Sequence, residues 1–243
     1  MTTDLLFRED AYLAHCDARI TAIGEQGIEL DRTVFYPHGG GQAGDAGVLR
    51  HVAGREIAIA DTRKGAEPGR VVHVPAAGAS LDGWSVGDAV TAQIDWARRH
   101  RHMRLHTATH LLCALVPHPV DGCSITAGYA RLDFHTAEPL DKQALTEGIA
   151  RLVSQASAVR QRWISEAELD ANPGLVRSMS VQPPRGQGQV RVLEIVGVDL
   201  QPCGGTHVAN TAEVGAVVVT KVEKKSAQTR RVVLGFAEPG PKP

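Results

Sequence analysis

The sequence predicts an α+β protein, with a small N-terminal β-barrel-like domain ahead of an α+β domain whose helices pack on a mainly antiparallel sheet. Three observations carry that prediction. Residues 1–93 consist of short β-branched runs punctuated by glycine; the pattern switches to helical spacing after Ile94; and the chain returns to β-rich runs near its end.

In chain order, strands are expected within Ala22–Leu30, Ile57–Asp61, Arg70–Val74 and Ala89–Ile94, separated by turns such as Glu67-Pro68-Gly69. Asp95 stands where a helix N-cap belongs, and the next breaker is Pro117. Between them lie about five turns of helix carrying Trp96, Met103, Leu111, Leu112, Leu115 and Val116. A domain boundary near Ile94 therefore divides residues 1–93 from 94–243. Ser124–Phe134 reads as a strand. Pro139-Leu140-Asp141 opens a second helix, with Leu145, Ile149, Leu152 and Val153 on one face and Gly148 as a weak point. A strand at Gln161–Ile164, loops at Asn172-Pro173-Gly174 and Pro183–Gly186, and strands at Val190–Val196, Val214–Val222 and Arg231–Phe236 complete the reading.

A chain of 243 residues with 43% hydrophobic content buries a core without disulfide staples. The longest apolar runs, Leu111–Val116 and Gly215–Thr220, fall far short of the ~20 residues a membrane span needs. Asp4, Arg8, Glu9 and Asp10 occupy positions where a secretion signal would be basic and then apolar. The four cysteines form no CxxC pair, which suits a reducing compartment. The expectation is a cytoplasmic protein, monomeric and without a membrane partner. A net charge of −1 provides no global attraction to nucleic acid, but Arg98, Arg99, Arg101 and Arg104 form one local basic cluster. Lys221, Lys224, Lys225, Arg230 and Arg231 form another.

Residues four apart share a helix face, so His106 and His110 can present two imidazoles to one ion. His102 lies one turn earlier, inside the charged run, and is the weaker choice. Cys113 is offset from His106 by a helical rise of ~10 Å and reads as a small core residue. The second half-site is Cys203-Gly-Gly-Thr-His207, where Gly204 and Gly205 permit a tight turn that brings thiolate and imidazole together. Three histidines and a cysteine suit tetrahedral zinc. The metal chemistry narrows the class. A zincin protease places a glutamate directly after the first histidine, where this chain has Thr107, and a nucleobase deaminase needs a second cysteine where it has Thr206.

Phe35–Gly47 is rich in glycine but lacks the Gly-Lys-Ser/Thr of a phosphate loop. Gly39, Gly40 and Gly41 suit a backbone that approaches a ligand closely, with Gln42 and Asp45 as polar contacts. The same residues also suit a tight turn with Asp45 as a cap.

His106-Thr-Ala-Thr-His110, Cys203-Gly-Gly-Thr-His207, the glycine-rich segment and Arg131-Leu-Asp-Phe134 together resemble the freestanding alanyl-tRNA editing proteins of medium length, the AlaX group. They are similar also to the editing domain of alanyl-tRNA synthetase. The resemblance implies a zinc-dependent aminoacyl-tRNA deacylase that clears serine, and secondarily glycine, from tRNA(Ala). Such a step is needed because a pocket shaped for alanine rejects glycine and serine weakly. It implies zinc on His106, His110, Cys203 and, in many members, His207, with water as the nucleophile and no separate base identified. Zinc either activates that water or anchors the substrate amino group. It also suggests Thr126 as the hydroxyl facing a serine side chain, and Arg98, Arg99, Lys224, Lys225 and Arg230 as contacts to tRNA phosphates. Serine removal from tRNA(Thr), a non-catalytic zinc-stabilised RNA-binding module and a general zinc esterase are the competing readings.

Overall fold

The computed structural model describes residues 2–179, 183, 186 and 188–237. Two compact units, Met1–His100 and Arg101–Pro243, divide the chain.

The first unit begins with a short parallel pair, β1 (Asp4–Leu5) with β4 (Arg32–Thr33). The remaining strands are β2 (His15–Gly24), β3 (Gly27–Leu30), β5 (Gly47–His51), β6 (Glu56–Lys64), β7 (Val71–Pro75) and β8 (Ala89–Ile94). They close a barrel in the order β2-β3-β7-β6-β5-β8. Alternation builds its interior: Val90, Ala92 and Ile94 of β8 and Ile57 and Ile59 of β6 point inward, to meet Ile20, Ile28, Leu30 and Leu49. Each valine, leucine or isoleucine among them contributes about 1.5–3 kcal/mol on burial. Register shifts at Ile20/Ala22 and Ile59/Asp61 bend β2 and β6, which lets six strands close. The expected Ala22–Leu30 strand is instead a hairpin, broken where Gly27 turns at φ 136°. β5 went unread because its glycine-flanked sequence resembles the loop before it.

His73 is buried in this unit, donating from Nδ1 to the Ile28 carbonyl at 3.0 Å and accepting the Thr33 hydroxyl at Nε2 at 2.8 Å. Burial lowers its pKa to about 4. A histidine depressed in the folded state contributes stability above its unfolded value of ~6.5 and loses it as pH falls toward 4. Urea unfolding should therefore show the loss of on the order of 3 kcal/mol between pH 6.5 and pH 4. His73→Gln should flatten that slope.

The division between the units falls within α1 (Trp96–Leu115), whose Asp95 cap accepts the Arg98 amide at 3.0 Å. In the second unit, β9 (Val120–Ile125), β10 (Tyr129–His135), β14 (Val217–Lys224) and β15 (Thr229–Phe236) form an antiparallel sheet in the order β14-β15-β10-β9. β11 (Val159–Ser165), β12 (Gln189–Ile195) and β13 (Asp199–Pro202) form a second sheet in chain order. α2 (Lys142–Ser154) is capped by Asp141, and its Thr146 hydroxyl accepts the Val219 amide of β14 at 3.1 Å. A Cβ on Gly148 would stand 2.8 Å from Leu115 Cδ1, so the glycine that weakens α2 is what lets it approach α1. α3 (Glu166–Ala171) carries a capping box between Ser165 and Glu168, a signal legible in the sequence as Ser-x-x-Glu. Pro184 and Arg185 of the expected Pro183–Gly186 loop lie outside the described residues. Among the described residues, no helix is long and apolar enough to cross a membrane.

Candidate metal centre

α1 presents His106 and His110 one turn apart, their ring centroids 5.6 Å from each other. Cys203 and His207 come from the loop that leaves β13. One residue beyond that strand, Cys203 donates its amide to the Arg191 carbonyl of β12 at 3.2 Å. The ligand atoms of all four side chains lie within 4.8 Å of one another. Cys203 Sγ is 3.5 Å from His106 Nε2 and 3.2 Å from His207 Nε2. Those separations are close to the edge of a tetrahedron whose centre lies ~2.0–2.3 Å from nitrogen and sulfur ligands. The residues therefore fit a bound metal ion.

A surrounding layer of residues holds the ligands in place. Asp199 Oδ2 accepts from His110 Nδ1 at 2.9 Å and from Gln201 Nε2 at 2.8 Å, which leaves His110 Nε2 to the cluster. The Thr107 hydroxyl lies 3.3 Å from His207 Nδ1 and accepts the Val208 amide at 3.3 Å. Arg191 donates to the carbonyls of Cys203 at 2.7 Å and Gly205 at 3.1 Å, bracing the turn between the two ligands. Sequence reasoning missed all three roles. For Asp199 a signal existed: period-2 alternation places Asp199, Gln201 and Cys203 on one face of β13 and its extension.

Electrostatics favour the ligating forms of Cys203 and His207. Burial alone would raise the Cys203 thiol, but the neighbouring His106 and His207 outweigh it and hold Cys203 well below the ordinary thiol range. Burial and the adjacent His106 push His207 well below the usual imidazole value, so it is neutral. Burial opposes charge on His110, yet the hydrogen bond to Asp199 and the nearby Cys203 raise it to about 9. A carboxylate behind a ligating histidine fixes its ring and raises its basicity. Asp199→Asn should accordingly weaken metal affinity about 10- to 100-fold, as measured by competition with a chromogenic chelator.

Other expected site residues fare differently. His102 is outside the cluster but fully buried, while its neighbour Arg101 is exposed. Cys113 is a core residue, its thiol pushed up to about 12 by burial. Arg99, expected to meet tRNA, is instead completely buried; it pairs with Asp45 and donates to the carbonyls of Ala11 at 3.0 Å and Val34 at 2.6 Å. Asp45 is equally buried, so both charges serve the fold, and the assignment of Asp45 to substrate is corrected with that of Arg99. Gln42 is also buried, and its backbone exchanges hydrogen bonds with Gly39 at 3.0 and 3.1 Å to close the turn. Gly40 and Gly41, at φ 57° and 84°, are the glycines that this turn demands.

Thr126 is not on a strand but in the turn joining β9 to β10. Its hydroxyl donates to the Tyr129 carbonyl at 3.0 Å and accepts the amides of Gly128 at 3.2 Å and Tyr129 at 3.1 Å. One donor and two acceptor sites exhaust a hydroxyl, so the role of facing a serine side chain is corrected to one of closing the turn. Arg98 is half-buried, its guanidinium 3.4 Å from the Gly44 carbonyl. Arg230 donates to the Ser226 carbonyl at 3.1 Å and to that of Ala137, while Lys224 and Lys225 are exposed.

Two family models match the chain. "tRNA synthetases class II (A)" covers residues 11–98, and "Threonyl and Alanyl tRNA synthetase second additional domain" covers residues 190–233, which include Cys203 and His207. Both matches are to domains of tRNA synthetases, and the second contains two of the four clustered ligands. The chain is 33% identical to the alanyl-tRNA editing protein AlaX-M of Saccharolobus solfataricus, over 95% of this chain and 97% of that protein. It is 34% identical to AlaX-M of Methanosarcina barkeri, with the same coverage. An alanine–tRNA ligase of Pyrococcus furiosus is 31% identical over 97% of this chain, which spans 26% of the ligase. The chain belongs to the alanyl-tRNA editing protein family.

Proposed function

We propose that the chain is a zinc-dependent trans-editing hydrolase that removes serine, and secondarily glycine, from mischarged tRNA(Ala). It is an enzyme, an aminoacyl-tRNA deacylase. The observation that carries this reading is the convergence of His106, His110, Cys203 and His207 within 4.8 Å of one another in a member of the alanyl-tRNA editing family.

The reaction cleaves the bond between the amino acid carbonyl carbon and the ribose oxygen; water supplies hydroxyl to the carbon and a proton to the oxygen. Zinc supplies Lewis-acid chemistry there. The chain's own residues set the geometry. Asp199 and Thr107 orient His110 and His207, and Arg191 holds the Cys203–Gly205 turn. The difference between a carboxylate at 2.9 Å from His110 and a hydroxyl at 3.3 Å from His207 supports His207 as the ligand that yields to substrate. Gly204, between the two ligands of the loop, is exposed, and a Cβ there would meet nothing within 4 Å.

The test is deacylation of serine-charged tRNA(Ala) by metal-loaded and metal-stripped protein, with serine-charged tRNA(Thr) and a simple serine ester in parallel. The reading requires metal-dependent turnover that is fastest on tRNA(Ala). Equal rates on the simple ester would mean a general esterase.

The exposed Lys224 and Lys225 are proposed as phosphate contacts. Replacing both with glutamate should weaken tRNA binding and flatten its salt dependence by about two units of log–log slope, measured by filter binding across a salt series.

A further inference from the structure

Trp163 has no burial role to explain it. It lies on β11, at one end of the β11-β12-β13 sheet, and is 53% exposed. Trp84, by contrast, is buried at 8%. The strand register gives its position a meaning. Trp163 pairs with Arg191 across the β11–β12 ladder. The Cys203 amide bonds the Arg191 carbonyl, one step past the Val192–Pro202 pair, so Cys203 stands opposite Arg191 on the other side. Directly opposed residues point to the same face of a sheet. Trp163, Arg191 and Cys203 therefore form one cross-strand row, with Trp163 two strand spacings, about 10 Å, from the metal ligand.

Arg191 makes the row stiff. Its guanidinium donates to Gln161 Oε1 on β11 at 2.6 and 3.1 Å, and to the Cys203 and Gly205 carbonyls on the other side. One side chain thus ties the strand carrying the indole to the loop carrying two ligands. Two strand spacings are about the reach of a single nucleoside from its base to its sugar hydroxyls. An ester on the terminal ribose, placed at the cluster, leaves its own base within reach of the indole.

We propose that Trp163 is the stacking platform for the 3′-terminal base of the aminoacylated RNA, a subsite that positions the ester over the metal cluster. This rests on the deacylase reading above. Base–aromatic stacking is tolerant of base identity, so the platform adds affinity and orientation without selecting a sequence. Gln161 and Arg191 hold the register between platform and cluster.

Because Trp163 is exposed, its replacement leaves the fold and metal content intact, both checked by circular dichroism and metal analysis. On serine-charged tRNA, Trp163→Ala is expected to raise KM about tenfold with little change in kcat, and Trp163→Phe to restore most of the loss. A second arm uses a seryl ester on an RNA whose terminal nucleotide lacks its base. The wild-type protein should lose about the same factor on that substrate, and Trp163→Ala should lose nothing further, because both changes remove one interaction. Unchanged KM in Trp163→Ala, or losses that multiply between the two arms, overturns the platform while leaving the deacylase standing. Absence of any turnover by the wild-type protein overturns the deacylase itself, and the platform with it.

Discussion

Cys203→Ala is expected to lose its metal and to deacylate serine-charged tRNA(Ala) more slowly by on the order of 10³-fold, about 4 kcal/mol of transition-state stabilisation. The reason lies in the position of the sulfur at the crossing of the two half-sites. It is within 3.5 Å of His106 on the helix and 3.2 Å of His207 on its own loop. It is also the ligand whose charge the surrounding histidines favour most strongly. Alanine leaves three imidazoles facing one another with no anion between them. Metal analysis, single-turnover deacylation and thermal melting together separate the possible meanings. Loss of activity from a protein that still melts cooperatively identifies a reactive centre. Collapse of the second unit with metal loss would identify a structural zinc and sink the catalytic assignment. Adding a chelator to the wild-type protein should reproduce the variant, and re-addition of zinc should reverse it.

Asp45→Ala is expected to cost about 3–5 kcal/mol of stability in the first unit, because it leaves the Arg99 guanidinium buried with no counter-charge. Both side chains are essentially sealed from solvent, with 0% and 1% exposure. Asp45 also accepts the Tyr36 amide at 2.7 Å, so the pair anchors the glycine-rich segment as well as the start of α1. Arg99→Lys should be nearly as damaging, because an ammonium cannot reach Asp45, Ala11 and Val34 at once. Replacing both members with apolar residues should cost less than Asp45→Ala alone, since it removes the stranded charge along with the pair. Urea midpoints of the three variants and the wild type make the comparison. If Asp45→Ala unfolds at the wild-type midpoint, the buried pair is not what holds this segment.

The fold class was legible because its signals are local. The alternation of β8 from Ala89 to Ile94 appears in the structure as alternating partial and full burial. The Asp95 and Asp141 caps were readable because capping depends on residues three apart. The four ligands were readable for the same reason, since each half-site spans only five residues. Failures came wherever a partner is remote in sequence. Arg99 looked like a surface cation among others until Asp45, Ala11 and Val34 closed around it. Thr126 looked like a strand residue until the β9–β10 turn consumed its hydroxyl.

By itself, the sequence determined the helical spacing of His106 and His110, the short loop from Cys203 to His207, the switch from strands to helix after Ile94, and the family resemblance. Those properties follow from backbone periodicity and the chemistry of neighbouring residues, which act over one or two turns of chain. Only the tertiary structure decided that the half-sites meet, that Asp199 stands behind His110, and that Asp45 and Arg99 cancel each other's charge. It also aligned Trp163 with Arg191 and Cys203. Burial and pairing between distant segments are set when the sheets assemble, and no short stretch of sequence contains them.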